Sequence, residues 1–62
     1  MSVIIDPTGE EVEILFLDLR GKVATCLLKD GSEQVISTMF LVSDGGVPEL
    51  IERANKNRGI LR

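Results

Sequence analysis

Apolar and polar positions repeat along this chain with two different periods. Three stretches divide into alternating faces, one short stretch is a contiguous β-branched run, and one repeats every three to four. Residues 2–6 predict a short strand, because Val3, Ile4 and Ile5 are β-branched and contiguous. Residues 10–19 predict the longest strand, with Glu11 and Glu13 alternating against Val12 and Ile14. From Leu15 both phases turn apolar, with Leu15, Leu17 and Leu19 on one side and Phe16 on the other. Residues 22–29 set Val23, Thr25 and Leu27 against Ala24, Cys26 and Leu28. Residues 32–42 set Gln34, Ile36, Thr38, Phe40 and Val42 against Val35, Ser37, Met39 and Leu41, with Ile36, Phe40 and Val42 as the expected core set. The helical period falls at residues 48–58, where Leu50, Ile51 and Ala54 join Val47 in one apolar stripe.

Turn chemistry falls between these stretches. Asp6-Pro7-Thr8-Gly9 suits a type I turn, with Asp first, Pro presetting φ second and Gly fourth. Arg20-Gly21 marks the next turn, where Gly21 supplies any positive φ required. Asp30-Gly31 predicts a type I′ hairpin, and the chain is organised around it. Ser43-Asp44-Gly45-Gly46 ends the strands, and Pro48 sits in the first helical turn, where its missing N–H costs nothing. Gly59 suits a C′ cap, after which Ile60 folds back on the helix. The expected fold is one small domain over residues 1–62, mostly β, in β-β-β-β-α order. It is an antiparallel meander with a C-terminal helix, and strong curvature would make it an SH3-like or partly open barrel.

Composition bears on how such a fold is held together. A chain of 62 residues buries only about 60% of the surface that it exposes when unfolded. With one cysteine and no histidine, neither an internal disulfide nor a Cys/His metal site is expected. Side chains are 44% hydrophobic but 3% aromatic, so the core is expected to be aliphatic, helped by Phe16 and Phe40. That much aliphatic surface on so short a chain predicts a homo-oligomer or a protein partner. The interface candidates are the second apolar set, Leu15, Leu17, Val35, Met39 and Leu41, extended by Ile60 and Leu61.

Charge is unevenly placed. Residues 1–52 carry ten carboxylates against three cations, whereas residues 53–62 carry four cations and no carboxylate. Arg53, Lys56, Arg58 and Arg62 are therefore candidates for contacting the phosphates of a nucleic acid, although they also suit the negative end of a helix. The acidic sheet and the lack of free stacking aromatics weigh against a nucleic-acid surface. Cys26 sits mid-strand among apolar neighbours with no base to activate it, and reads as a small buried hydrophobe. Glu11 and Glu13 share a strand face about 7 Å apart, but a solvated strand face explains them without a cleft. Gly45-Gly46 before a helix resembles an anion cradle, yet Pro48 removes a donor and Asp44 and Glu49 repel anions. No cofactor motif and no membrane span is present, and one unpaired cysteine without a signal sequence predicts a cytoplasmic protein. The expected function is that of a non-catalytic interaction module in a small homo-oligomeric accessory protein. The alternative is a nucleic-acid-associated regulator acting through the basic C-terminal segment.

Overall fold

The computed structural model describes residues 3–61, so Ser2 of the first expected strand and the phosphate candidate Arg62 lie outside it. The strands are β1 (Ile4–Ile5), β2 (Glu11–Asp18), β3 (Val23–Leu27), β4 (Glu33–Ser37) and β5 (Gly59–Leu61). A 3-10 turn at Thr38–Phe40 follows β4, and the helix α1 spans Gly46–Lys56. Strands β1 to β4 form the expected antiparallel meander. β5 pairs in parallel with β2, matching Phe16 with Gly59 and Asp18 with Leu61. The sheet does not close into a barrel: β1 meets the segment after the 3-10 turn only through one bridge, Ile5 to Val42.

Two hairpin loops share one construction. In the first, the Gly9 amide donates to the Asp6 carbonyl and the Asp6 amide to the Glu10 carbonyl. In the second, the Gly31 amide donates to Leu28 and the Leu28 amide to Ser32. Only the closing glycine needs positive φ, at 88° for Gly9 and 90° for Gly31. The second turn is thus a three-residue loop through Lys29 and Asp30, not the two-residue type I′ turn expected at Asp30-Gly31. At the β2–β3 turn the left-handed residue is Lys22, with φ 55°, and not Gly21. Gly21 is close-packed instead: a Cβ there would come within 3.1 Å of the Asp18 carboxylate, which would have to shift by a few tenths of an ångström.

The register places the core. Ile14 lies opposite Cys26, which lies opposite Gln34. Leu17 lies opposite Ala24, which lies opposite Ile36. Between these rows β2 carries one extra residue, a bulge at Leu15. The bulge shifts the two-residue period by one, so odd-numbered Leu17 joins even-numbered Val12 and Ile14 on the inner face. Leu17 is fully buried there, with Ile4, Val12, Ile14, Ala24, Cys26, Ile36, Leu41, Leu50 and Ala54. Leu17 and Leu41 are therefore core residues, and as interface candidates they are withdrawn. The core is aliphatic, but neither phenylalanine joins it: Phe16 is half-buried on the outer face and Phe40 is 56% exposed.

The last expected strand stops early. After Ser37 the amide and hydroxyl of Thr38 both donate to the Lys22 carbonyl, at 2.9 and 3.2 Å. The chain then turns, which reverses the expected sides: Leu41 goes inward, and Val42 is left 65% exposed. The helix starts and ends two residues earlier than expected. Leu50 and Ala54 pack inward, Ile51 partly so, but Val47 at the first turn faces solvent.

The helix ends on the bulge. The Asn57 side-chain amide donates to the Ile14 carbonyl at 2.6 Å, and the Arg58 backbone amide donates to the Leu15 carbonyl at 2.8 Å. Gly59, at φ 116°, then turns the chain into β5, and Ile60 packs against the core. Replacing Asn57 by Ala removes the donor to a part-buried carbonyl and should cost about 1–2 kcal/mol. Chemical denaturation should show it as a lower midpoint at an unchanged slope. Asn57→Asp should be worse, because it sets a carboxylate against both that carbonyl and Glu13. In the opposite direction, Lys22→Gly should relieve about 1 kcal/mol of left-handed strain. That would raise the melting temperature by about 4–8 °C, and a lower melting temperature would refute the account.

Candidate functional site

The outer face of the sheet follows from the same register. Phe16, Thr25 and Val35 form one row across β2, β3 and β4. Asp18, Val23 and Ser37 form the next, extended by Leu61 of β5. Glu13, Leu27 and Glu33 form a third. No helix covers these rows, and exposure rises toward β4, where Val35 is 61% exposed. The 3-10 turn adds Met39, which is 79% exposed, and Phe40. Val35, Met39, Phe40 and Val42 thus leave one corner of the molecule apolar and wet. Of the interface candidates, Val35, Met39 and Leu61 are exposed and Leu15 and Ile60 are half-buried. The sequence pattern puts Phe40 and Val42 in the core. What moves them outward is the 3-10 turn at Thr38–Phe40, closed by the Leu41 amide donating to the Thr38 carbonyl at 3.2 Å.

Beside this corner runs a groove of about 390 Å³, lined by Asp6, Pro7 and Thr8 on one side and by Gln34 to Ser37 and Phe40 on the other. Asp6 is its one ionisable group and is only 7% exposed. Its Oδ1 already accepts from the Thr8 hydroxyl at 2.7 Å, the Thr8 amide at 2.9 Å and the Glu10 amide at 3.0 Å. These bonds, the Thr8 hydroxyl foremost, hold the carboxyl below its ordinary range although burial works the other way. Asp6 is built into its turn as an ionised acceptor, a poor starting point for an acid or a base. Asp30 repeats the arrangement, accepting from the Ser32 amide and hydroxyl, and its carboxyl is likewise lowered.

The described members of the basic segment each face a carboxylate. Arg58 makes a two-pronged pair with Glu33, at 2.9 and 2.7 Å, which lowers the Glu33 carboxyl and raises the guanidinium. Arg53 donates to Glu13 at 2.8 Å and lies 3.7 Å from Glu49. Lys56 lies 3.9 Å from Glu52, one turn away on the helix and well exposed. The structure therefore spreads these cations over four acidic partners instead of bringing them together. Glu13 also accepts from Asn57 at 3.3 Å, so it braces the helix end, while Glu11 is exposed. A shallower groove of about 220 Å³ runs between the two glutamates and Leu27, Leu28 and Lys29.

Cys26 is fully buried, and its thiol contacts the Ala24 carbonyl at 3.7 Å. Burial first, and the charge of Asp6 second, push the thiol up to about 11. It stays protonated at neutral pH and behaves as a core side chain. Among the described residues no cluster of His, Cys, Asp or Glu is placed to hold a metal ion. No described helix is long and apolar enough to cross a membrane. Comparison with known proteins finds no family model, no curated protein and no solved structure that matches this chain.

The lowered carboxyls of Asp6, Asp30 and Glu33 set a pH dependence. Each is more acidic folded than unfolded, so each contributes stability above its unfolded value, about 3.9 for Asp and 4.3 for Glu. That contribution is lost as pH falls through the folded values. The melting temperature should therefore be level near neutrality and drop below about pH 4. Asp6→Asn keeps an acceptor oxygen but no titration, and should flatten part of that drop. An acid limb identical to that of the parent protein would show that Asp6 carries none of it.

Proposed function

We propose that this chain is a non-catalytic interaction module that assembles with copies of itself. The observation that carries this reading is the corner of Val35, Met39, Phe40 and Val42, four large apolar side chains each more than half exposed. Isolated exposed apolar residues need no explanation, but four within residues 35–42 of so small a protein do. Several ionisable groups are engaged structurally: Asp6 in its turn, Glu13 and Glu33 in ion pairs, and Cys26 in the core. Leu61, half exposed on the outer face, extends the apolar surface past β2.

The second reading is contact with nucleic-acid phosphates through Arg53, Lys56, Arg58 and Arg62. It has less support, because Arg53, Lys56 and Arg58 already lie opposite carboxylates. A phosphate would have to displace those partners, and binding would weaken steeply with salt.

Sedimentation equilibrium at tens of micromolar decides between a monomer and an assembly. The parent chain should sediment as an oligomer, and Met39→Ser with Phe40→Ser should raise the dissociation constant by about tenfold or more. A parent chain that is monomeric throughout that range would remove the reading. Retention of RNA or DNA on filters at low salt, lost on Arg58→Ala, would favour the alternative.

A further inference from the structure

We propose that two copies of this chain join edge to edge through β4, antiparallel and centred on Val35, to make one continuous sheet across the dimer. The inference rests on the self-assembly reading and names its interface. It begins with the hydrogen bonds between β3 and β4. The Leu28 amide donates to Ser32, and the Thr38 amide donates to Lys22. Residues of an antiparallel strand alternate between facing their partner strand and facing away from it. Ser32, Gln34, Ile36 and Thr38 therefore turn their backbone groups toward β3, and Glu33, Val35 and Ser37 turn theirs outward. Among the described residues nothing pairs with that outer edge. The edge carries no proline, lysine or bulge; it is five residues long, bears Glu33, and faces the Asp6–Thr8 loop across the groove.

The pattern of these three residues is compatible with a second copy as the occupant. Glu33, Val35 and Ser37 are spaced evenly about Val35, so a second β4 related by a two-fold axis matches every outward amide to an outward carbonyl. Val35 then lies opposite its own copy, and Glu33 lies opposite Ser37 of the other chain at both ends. The charges fit as well, because no carboxylate meets a carboxylate and each Glu33 faces a hydroxyl. Arg58 neutralises Glu33 from within its own chain, at 2.7 Å. On the outer face the two Val35 side chains meet and cover each other, with Thr25 behind each. Met39 and Phe40 lie just past the end of the paired segment, on the surface that the second copy approaches.

Cross-linking tests the geometry directly. Hydrogen-bonded antiparallel pairs have Cα atoms about 5.5 Å apart, within the usual range for a disulfide. Val35→Cys should therefore give a covalent dimer under mild oxidation, whereas Met39→Cys, further from the axis, should give little. The native Cys26 is buried and does not compete. Charge provides a second test with opposite signs. Ser37→Glu places a carboxylate against Glu33 twice per dimer and should weaken association about tenfold. Ser37→Lys should strengthen it, and circular dichroism should show both variants folded. If the parent protein is a dimer but Val35→Cys fails to cross-link and the Ser37 variants do not separate, the edge pairing is wrong while self-assembly stands. A parent monomer overturns both. A monomer whose Val35 and Ser37 amides become protected from exchange only on adding an extended peptide overturns the pairing in favour of a foreign strand.

Discussion

The fold turns on two backbone carbonyls. In a regular strand, successive carbonyls point to opposite edges, and each finds its partner in a neighbouring strand. The extra residue at Leu15 breaks that order, and the carbonyls of Ile14 and Leu15 both meet the end of the helix. Buried or half-buried carbonyls need donors, and here they receive the Asn57 side chain and the Arg58 amide. Much else follows from this contact. It fixes where the helix stops, aims the chain through Gly59 into β5, and brings Ile60 opposite Leu17. The same extra residue turns Leu17 inward. Without it, Leu17 would face solvent and the core would lose its central side chain.

The uneven charge of the chain has a structural outcome. The acidic strands and the basic end of the chain meet within one molecule, through Arg53 with Glu13 and Arg58 with Glu33. Arg58 is the more informative case. Its backbone is held at β2 while its side chain reaches Glu33 on β4, so one residue ties the central strand to the edge strand. Exposed pairs contribute little to stability, and the value of this one lies in position. It neutralises the one charge on β4, and so alters how that edge meets other molecules.

Much of this was legible from residue order. The four β stretches, the turn at Asp6–Gly9 and the inward Leu50 and Ala54 all follow from period and turn chemistry. What escaped shares a physical origin. A bulge costs one residue and leaves no compositional mark, so Leu15 and Leu17 looked equivalent in a run of apolar residues. Asp30-Gly31 serves two loop lengths equally well, because either places a glycine at positive φ. Parallel pairing of β5 joins residues more than forty positions apart, and three residues carry too little periodicity to announce a strand. The break at Thr38 depended on a bond to Lys22, a partner that only the folded hairpin supplies. At the candidate surface, Val35, Met39 and Leu61 were found through their surplus apolarity, whereas Phe40 and Val42 were missed because the break reversed their sides.

β5 has one more bearing on the life of the molecule. It shields one edge of β2, the strand that contains Ile14, Leu15, Phe16 and Leu17, and it is only three residues long. The Arg58 amide and β5 pair with that edge side by side. Were they lost, the most apolar stretch of β2 would be left with an unpaired edge. The hold of Asn57 and Gly59 on that edge is thus a guard against clumping as much as a source of shape.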